Sequence, residues 1–416
     1  MKRKEKSIVG LLLILSVLAV LSACVSTPVQ HSAEVVNATA AGAVPATGSA
    51  ASSASTSTAK PPRPAVTTKG TAPKGEHPAS VQPERTKPMW TPVSWNDLPG
   101  WSSESMPEVW NSLMHSCERP TAVFQKLCAQ LRPLSIADAN EQRLFLMTNL
   151  QPYKILNANG EPTGLLTGYF EPVFNASRIK KIGFETPVYA PTAEIMNLRA
   201  SHSKWYSRQE IDNSASAQEA LKGQEIAWLS DPIDVLILQI QGSGRLNVME
   251  VDGSQKWIKV VYAASNELPY QSIGRYLLDH MEITDATWPG IKAWANKNPD
   301  RVKSLLWVNP RYVFFKEEPL EDMTLGPKGA QGLELIAGRS VAVDPQYTPY
   351  GTPLWLVSDG PTLQLRKWVM AQDTGSAING PIRADYFVGT GAQAGEIAGH
   401  LRQHLSLWAL MPRQMQ

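Results

Sequence analysis

Three aspartates near the C-terminus are the residues best suited to chemistry in this 416-residue sequence. Asp344, Asp373 and Asp385 each stand at the end of an apolar run or beside a glycine turn. A strand end presents a side chain into a cleft, where a carboxyl group can donate or accept a proton. Aspartate is also a common turn former, because its oxygens accept hydrogen bonds from the backbone of its own loop. The residues alone therefore leave a catalytic and a structural interpretation open.

Two earlier segments combine small residues with hydrogen-bonding side chains. Residues 166–172 read LTGYFEP, and residues 239–245 read QIQGSGR. Gly242 and Gly244 would let a ligand approach the backbone, while Gln241 and Ser243 offer hydrogen bonds to a polar ligand. A plain turn is the alternative interpretation. Neither segment fits the phosphate-binding loop or the nucleophile elbow.

Two short motifs near the three aspartates resemble known functional signatures but do not indicate those functions. Residues 373–375 read DTG, the triplet of aspartic proteases, but that chemistry needs a second copy and the sequence holds none. Residues 389–395 contain the glycine spacing of a dinucleotide fingerprint, but too few residues follow for the required crossover. We interpret this second segment as the start of a helix.

The overall charge excludes a nucleic-acid binder. The sequence has 39 Lys and Arg against 37 Asp and Glu, a formal net charge of +2. A nucleic-acid-binding protein would show a basic excess. With 43% hydrophobic residues, the chain can bury a sizeable core.

The N-terminus reads as an export signal with a lipid-attachment cysteine. The basic residues Lys2, Arg3, Lys4 and Lys6 precede an apolar run at 8–21, which is shorter than a membrane span. The run ends in LSAC, so we expect residues 1–23 to be a lipoprotein signal peptide and Cys24 to carry the lipid. Val25, and not an aspartate, directly follows Cys24, which favours the outer membrane, facing the periplasm, if the source is Gram-negative.

Residues 24–88 have the composition of a disordered tether. Ala, Ser, Thr, Pro and Gly dominate this stretch, and it lacks the apolar residues that would offset the entropy cost of ordering. A flexible coil of this length reaches on the order of 40–50 Å. The tether would let a folded domain work away from the membrane, although a passive spacer has the same composition.

Cys117 and Cys128 are expected to form a disulfide, because an exported chain meets oxidising surroundings. The loop they close is worth roughly 3 kcal/mol in the chain-entropy model. Two cysteines with only His115 nearby make a poor zinc site, and we expect neither a metal nor a cofactor.

Short β-strands are predicted to dominate the folded part. Helices are predicted at 116–131, 140–150, 271–282 and 289–296. The runs rich in β-branched or aromatic residues predict strands at 235–240, 257–262, 311–315, 340–343 and 353–357.

The combination of motifs closely resembles the membrane-bound lytic murein transglycosylase A family, whose C-terminal module is named for three aspartates. The resemblance covers about residues 160–405. It rests on segments 166–172, 241–244, 270–275 (YQSIGR) and 309–315 (NPRYVFF), and on the three aspartate segments in the same order.

The resemblance implies a mainly β fold with a few short helices. A double-psi β-barrel domain, discontinuous in the chain, would comprise residues 89–173 and 319–412. A second β domain, residues 174–318, would be inserted into it, with glycan in the groove between the two.

The resemblance also implies an enzyme, a peptidoglycan lytic exotransglycosylase of the lyase class, although the residues themselves leave endo and exo action open. It would cleave the β-1,4 bond between N-acetylmuramic acid (MurNAc) and N-acetylglucosamine (GlcNAc) and leave 1,6-anhydromuramic acid ends. The family's catalytic aspartate falls on Asp385, and Asp373 is its expected neighbour. Substrate-binding residues are expected at Thr167, Gly168, Tyr169, Gln241, Gly242, Ser243 and Asp344.

The expected partners are peptidoglycan glycan strands, the membrane through the N-terminal lipid, and a cell-wall synthesis complex. Two alternatives stay open: a non-catalytic glycan-binding lipoprotein, and a hydrolase that uses Asp373 and Asp385 as an acid and base pair. A metal hydrolase is a weaker third alternative, since no histidine lies within the aspartate turns.

Overall fold

The computed structural model describes residues 89–134 and 137–413. The signal peptide, Cys24 and the tether predicted from the sequence lie outside these residues. Within them, no helix is long and apolar enough to cross a membrane.

The strands form two sheets, and the strands are numbered in chain order. They are β1 (Met89–Pro92), β2 (Leu150–Leu156), β3 (Gly164–Glu171), β4 (Val173–Ser177), β5 (Thr186–Tyr189), β6 (Glu225–Leu229), β7 (Ser243–Met249), β8 (Gln255–Ser265), β9 (Val313–Pro319), β10 (Ser340–Val343), β11 (Pro353–Asp359), β12 (Gln364–Asp373), β13 (Arg383–Thr390) and β14 (Arg402–Pro412).

The α-helices are short and lie between these strands. They are α1 (Met106–Ser116), α2 (Gln125–Leu131), α3 (Ala139–Asn149), α4 (Ala193–Ser201), α5 (Arg208–Asn213), α6 (Ala215–Leu221), α7 (Pro232–Gln241), α8 (Ile273–Asp279), α9 (Trp288–Lys297), α10 (Val302–Trp307) and α11 (Ala392–His400).

The first sheet has eight strands and closes on itself. Its order is β1-β2-β14-β11-β12-β10-β13-β3, and β14 also pairs with β3, so six strands form a ring. Two of its pairings are parallel, β10 with β12 and β13 with β3. We call this closed sheet the barrel. Its interior is filled by aliphatic side chains that include Val341, Leu354 and Leu407.

The second sheet has six strands in the order β5-β6-β4-β7-β8-β9. All of them come from one stretch of chain between Val173 and Pro319. We call it the second sheet. The mainly β prediction with two β units is confirmed, since the barrel and the second sheet account for every strand in the described residues.

One predicted strand is wrong. Residues 235–240 form most of the helix α7, not a strand. The Asp231 side chain accepts from the Ile233 N–H, Pro232 takes the first helical position, and Gly242 ends the helix with φ 79°. This helix is buried on several sides, so its apolar residues show no one-sided helical period. The capping residues, rather than periodicity, mark it in the sequence.

The predicted helix at 116–131 is also wrong over its first half. Helix α1 ends at Ser116, a turn follows, and α2 begins only at Gln125. Pro120 interrupts the stretch, because proline removes a backbone donor and restricts the residue before it. The other predicted helices agree with α3, α8 and α9, and the remaining predicted strands agree with β8, β9, β10 and β11.

Several short helices are missing from the sequence prediction. Helices α4, α5 and α6 begin after Thr192, Ser207 and Ser214, whose hydroxyl groups accept backbone N–H hydrogen bonds. They span only six to nine residues. A helix of that length shows too little periodicity to be recognised.

The first helices pack outside the barrel around a tryptophan-rich core. Trp101, Trp110, Trp355 and Trp368 belong to this cluster. Cys117 and Cys128 are bonded there as a disulfide that ties the end of α1 to α2. The tryptophans of this cluster are therefore buried packing residues.

Candidate active site

A cavity of about 290 Å³ brings residues of the barrel and the second sheet together. Its barrel side holds Asp373 at the end of β12, Asp385 near the start of β13, and Gly168 and Tyr169 on β3. Its other wall comes from the end of α7 and from the residues before β9. Both aspartates proposed for catalysis thus open into one cavity.

Asp385 lies between two neighbouring strands of the barrel. Its backbone pairs with Ala342 on β10 and with Thr167 on β3. The Thr167 Oγ1 donates a 2.6 Å hydrogen bond to Asp385 Oδ1. Arg383 Nη2 in turn donates to the same Thr167 hydroxyl oxygen at 2.8 Å. The single hydroxyl hydrogen of Thr167 is therefore directed at Asp385.

Burial dominates the proton affinity of Asp385. It raises the pKa of this carboxyl above its ordinary value, while the Thr167 hydrogen bond and the Arg383 charge act in the opposite direction. A carboxyl group with a raised pKa keeps its proton closer to neutral pH, which a general acid requires.

Asp373 is the second half-buried carboxyl group in the cavity. Its Oδ2 accepts from the Tyr169 hydroxyl at 3.0 Å, and its Oδ1 accepts from the Ala330 N–H at 3.1 Å. Burial raises the pKa of Asp373 to about 6, and the nearby Asp385 charge adds to the rise against the opposing hydrogen bonds. Asp385 is therefore close enough to Asp373 to favour the protonated form of Asp373.

Asp344 has a different environment. It is 5% exposed and does not line the cavity. Its Oδ1 accepts from the Gln346 N–H at 3.0 Å and its Oδ2 from the Gly380 N–H at 2.9 Å. These bonds join the turn after β10 to the loop before β13, which is the turn-forming role of aspartate.

The Gln241 side chain connects α7 to the barrel. Its Oε1 accepts from the Phe170 N–H at 3.1 Å, next to Tyr169. Gly242 caps the helix and Ser243 starts β7, where it pairs with Val261. Of the residues that the sequence analysis proposes in this segment, the cavity is lined by Gln241 and not by Gly242 or Ser243.

Gly168 is small for a structural reason. A Cβ atom at this position would lie 2.9 Å from the Ala398 Cα and 3.1 Å from the Leu401 Cβ. Helix α11 therefore packs directly on the backbone of β3 beside the cavity. Any side chain here would push the helix away from the strand that carries Thr167 and Tyr169.

Several residues of the cavity were not predicted from the sequence. They are Arg208, Gln239, Tyr270, Asn309, Arg311, Arg383 and the loop residues 374–378. Some of these residues lie inside the segments that carried the resemblance, where no individual role was assigned. Arg208 at the start of α5 has no signal in the sequence around it.

Comparison with known proteins gives a consistent result. Residues 165–316 match the family described as "MltA specific insert domain", and residues 339–411 match the "3D domain". A membrane-bound lytic murein transglycosylase A of Vibrio cholerae is 32% identical over 301 residues, which cover 69% of this chain and 76% of the relative. The chain belongs to the membrane-bound lytic murein transglycosylase A family.

Solved structures show the same fold. A lytic transglycosylase of Burkholderia pseudomallei is 39% identical with a TM-score of 0.55, and the match covers 79% of this chain and 98% of that one. MltA of Neisseria gonorrhoeae is 28% identical with a TM-score of 0.65, covering 79% and 93%. Membership of this family makes the chain a lytic transglycosylase, a lyase-type enzyme acting on peptidoglycan.

Proposed function

We propose that this enzyme cleaves the β-1,4 bond between MurNAc and GlcNAc and closes the muramic acid ring to a 1,6-anhydro end, with Asp385 as its only proton-transferring residue. The observation that carries the proposal is the Asp385 carboxyl group, which opens into the cavity and has a pKa raised by burial. The similar proteins of Vibrio cholerae and Burkholderia pseudomallei are lytic transglycosylases, which supports the reaction class.

Asp385 first acts as the acid. Its proton passes to the O4 of the departing GlcNAc as the bond to muramic acid C1 breaks. The resulting carboxylate then takes the proton from the muramic acid C6 hydroxyl, whose oxygen attacks C1. Because the nucleophile is already part of the substrate, its attack is intramolecular, and this can lower the activation barrier by roughly 7–11 kcal/mol. A second carboxylate for activating water is therefore not required.

Asp373 and Thr167 are proposed to support this group. Thr167 stabilises the carboxylate form of Asp385 through its 2.6 Å hydrogen bond. We propose that Asp373 faces the positive charge that develops at C1; hydrogen bonds from Tyr169 and the Ala330 N–H to its two oxygens support a fixed orientation. Gly168, Tyr169 and Gln241 are proposed to contact the glycan. We propose that Asp344, Gly242 and Ser243 have a structural role and stabilise the turns around the site.

The domain division and cellular location are proposed from the sequence together with the fold. The single stretch of chain that forms the second sheet supports an inserted domain at 174–318 between barrel parts at 89–173 and 319–412. A lipid on Cys24, after removal of residues 1–23, would hold the enzyme at the outer membrane facing the periplasm. Residues 24–88 would then let it reach peptidoglycan or a synthesis complex.

Replacement of Asp385 tests the mechanism. Purified sacculi are incubated with the wild-type enzyme and with Asp385→Asn, and soluble products are analysed by mass spectrometry. We expect the wild type to release muropeptides that are lighter by one water than hydrolysis products. The variant should be about 10²–10⁴-fold slower, because it lacks the general acid. Native-rate digestion by Asp385→Asn would show that the assignment is wrong.

The same digestion separates the alternative functions. A hydrolase pair of Asp373 and Asp385 would release reducing ends and incorporate ¹⁸O from labelled water. A glycan-binding lipoprotein would release no soluble product from the sacculi. A metal hydrolase would lose activity in chelator, whereas the proposed mechanism is expected to retain it.

A further inference from the structure

The wall of the cavity supplied by α5 and the residues before β9 carries two arginines, Arg208 and Arg311. Arg208 is 5% exposed, so its charged group is held inside the protein next to the cavity. Its Nε donates to the Asn309 carbonyl oxygen at 3.1 Å, and its Nη2 donates to Gln239 Oε1 at 2.5 Å. The acceptors are neutral, so they fix the guanidinium without balancing its charge.

Arg208 has no carboxylate partner within 4.0 Å in the part of the chain that the structure describes. Burial lowers the pKa of its guanidinium, which lies 4.9 Å from the centre of the Tyr312 ring, and Asp212 acts on it only at longer range. A buried cation without a counter-ion is costly, since the charge loses its water and gains no ion pair in return. An anion in the cavity would remove this cost.

Arg311 adds a second guanidinium to the same wall. Its side chain is half-buried, and Nη1 donates to the Leu268 carbonyl oxygen at 3.1 Å. Among the described residues it also forms no ion pair, and its Nε and Nη2 donate no hydrogen bond to protein. The planar fork of an arginine matches the two oxygens of a carboxylate.

Other buried arginines of the described chain are paired with acids, which sets these two apart. Arg245 pairs with Glu171 at 2.7 Å, and Arg339 pairs with Glu104 at 2.8 Å. Arg383, also in the cavity, already donates to Thr167 and to the Ala384 carbonyl oxygen. Two cavity arginines thus lack an acidic partner where substrate is proposed to bind.

Hydrogen bonds from the last turn of α7 connect Arg208 on one side of the cavity with β3 and Asp373 on the other. Gln239 contacts Arg208, and Gln241 contacts the Phe170 N–H next to Tyr169. Tyr169 contacts Asp373. Both arginines line the same cavity as Asp385, so a ligand group bound by them would lie near the bond that Asp385 is proposed to cleave.

We propose that Arg208 and Arg311 bind a carboxylate of the glycan substrate, a specificity site that rests on the proposed function. Two parts of peptidoglycan supply this chemistry. One is the lactyl carboxylate of a muramic acid that carries no peptide, and the other is a carboxylate of the peptide stem. A neutral glycan without either group would lack the contact.

The test compares matched glycans with their carboxylates free or amidated. Peptide-free glycan strands form one pair, in which amidation removes the lactyl charge, and peptide-bearing strands form the second pair, in which it removes the stem charges. The measurement is kcat/KM for anhydro-product release. We expect amidation to lower the wild-type value about tenfold in at least one pair, as for the loss of one hydrogen bond to a charged group.

Arg311→Gln removes one half of the proposed site. The ratio of kcat/KM for free over amidated glycan should fall towards one in this variant, and Arg311→Lys should restore part of it. Arg199→Gln is the matched control, because Arg199 is exposed on α4 outside the cavity, and it should keep the wild-type ratio. Circular dichroism and thermal unfolding establish that each variant is folded.

The pair that responds identifies the source of the carboxylate. The proposal is overturned if amidation changes neither pair, or if Arg311→Gln discriminates as strongly as the wild type. Either result leaves the proposed function intact as long as anhydro products form. Loss of anhydro products from every glycan with the wild-type enzyme would instead contradict the proposed function itself.

A binding measurement removes turnover from the comparison. Isothermal titration of each glycan into Asp385→Asn and into Asp385→Asn with Arg311→Gln gives the affinity directly. We expect about tenfold weaker binding of the free-carboxylate glycan to the double variant and a smaller change for the amidated form. Equal changes for both forms would contradict carboxylate recognition.

Discussion

At the scale of single residues, the pKa of Asp385 is set by opposing contributions. Burial raises it, and the hydrogen bond from Thr167 and the charge of Arg383 lower it. The acid must be protonated to donate, yet its conjugate base must be stable enough to form. The Thr167 hydroxyl supplies part of this balance, because it receives a hydrogen bond from Arg383 and donates its only hydrogen to Asp385.

Thr167→Val tests this balance. The substitution removes the hydrogen bond that stabilises the carboxylate, so the pKa of Asp385 rises further and the group stays protonated to higher pH. We expect the alkaline limb of kcat/KM, which reports loss of the acid form, to move to higher pH. The pH profile on soluble glycan strands measures this shift.

Thr167→Ser is the matched control, since it keeps the hydroxyl and should return the limb towards its wild-type position. A limb that stays in place in Thr167→Val, or that moves to lower pH, would contradict the assigned direction.

At the scale of elements, the packing of α11 on β3 positions the site. Strand β3 carries Thr167, Gly168 and Tyr169, and it pairs in parallel with β13, which carries Asp385. The helix fits closely over β3 because Gly168 has no side chain at the contact. The spacing between strand and helix therefore depends on one missing Cβ atom.

Gly168→Ala should lower the free energy of unfolding by about 1–3 kcal/mol, as expected for overpacking a close contact. The new Cβ would lie 2.9 Å from the Ala398 Cα, a backbone atom that cannot move without the helix. Urea unfolding followed by circular dichroism measures the change, and the activity on sacculi should fall with it.

Gly399→Ala, in α11 itself, provides the control. Its added Cβ would have the Thr287 Cβ at 3.9 Å as its nearest neighbour, an ordinary contact. We expect this variant to be as stable as the wild type or more stable by up to about 1 kcal/mol. Equal loss in both variants would point to the helix itself rather than to its contact with β3.

At the scale of the whole molecule, a buried ion pair holds the crossing from the barrel to the second sheet. Glu171 ends β3 and Arg245 lies on β7, with their side chains 0% and 4% exposed and joined at 2.7 Å. Arg245 also donates to the carbonyl oxygens of Met323 and Leu325, and Thr390 donates to Glu171. The chain passes from the barrel to the second sheet after Glu171 and returns near Met323 and Leu325, close to this ion pair. We therefore expect the pair to hold the two sides of the cavity in position.

Arg245→Ala should cost about 3–5 kcal/mol of unfolding free energy, because it leaves the Glu171 charge buried without a partner. The measurement is again urea unfolding at neutral pH. Arg275→Ala is the control, since the side chains of the Arg275–Asp279 pair are 74% and 51% exposed and solvent screens their attraction, so we expect a much smaller loss of stability. Similar losses in the two variants would exclude the proposed role of burial.

From the sequence alone, the family, the mainly β class, four of the strands (β8, β9, β10 and β11) and three of the helices (α3, α8 and α9) could be predicted. These features depend on local signals: segments such as 166–172 and 309–315 keep their residue order, and strands such as β10 alternate with turn residues along the chain. The sequence also pointed to Asp385 and Asp373. The local pattern alone does not distinguish them from Asp344, because all three stand at the end of an apolar run or beside a turn; the family resemblance assigned the catalytic role to Asp385.

How these residues act depends on contacts between segments that are distant in the sequence. The Thr167 hydroxyl reaches Asp385 across 218 positions of sequence, and Arg208 reaches the cavity from a short helix with no motif of its own. Asp344 turns into a loop while Asp373 and Asp385 open into the cavity. Burial, close packing and long-range hydrogen bonds depend on which distant segments meet, and local periodicity carries no information about that.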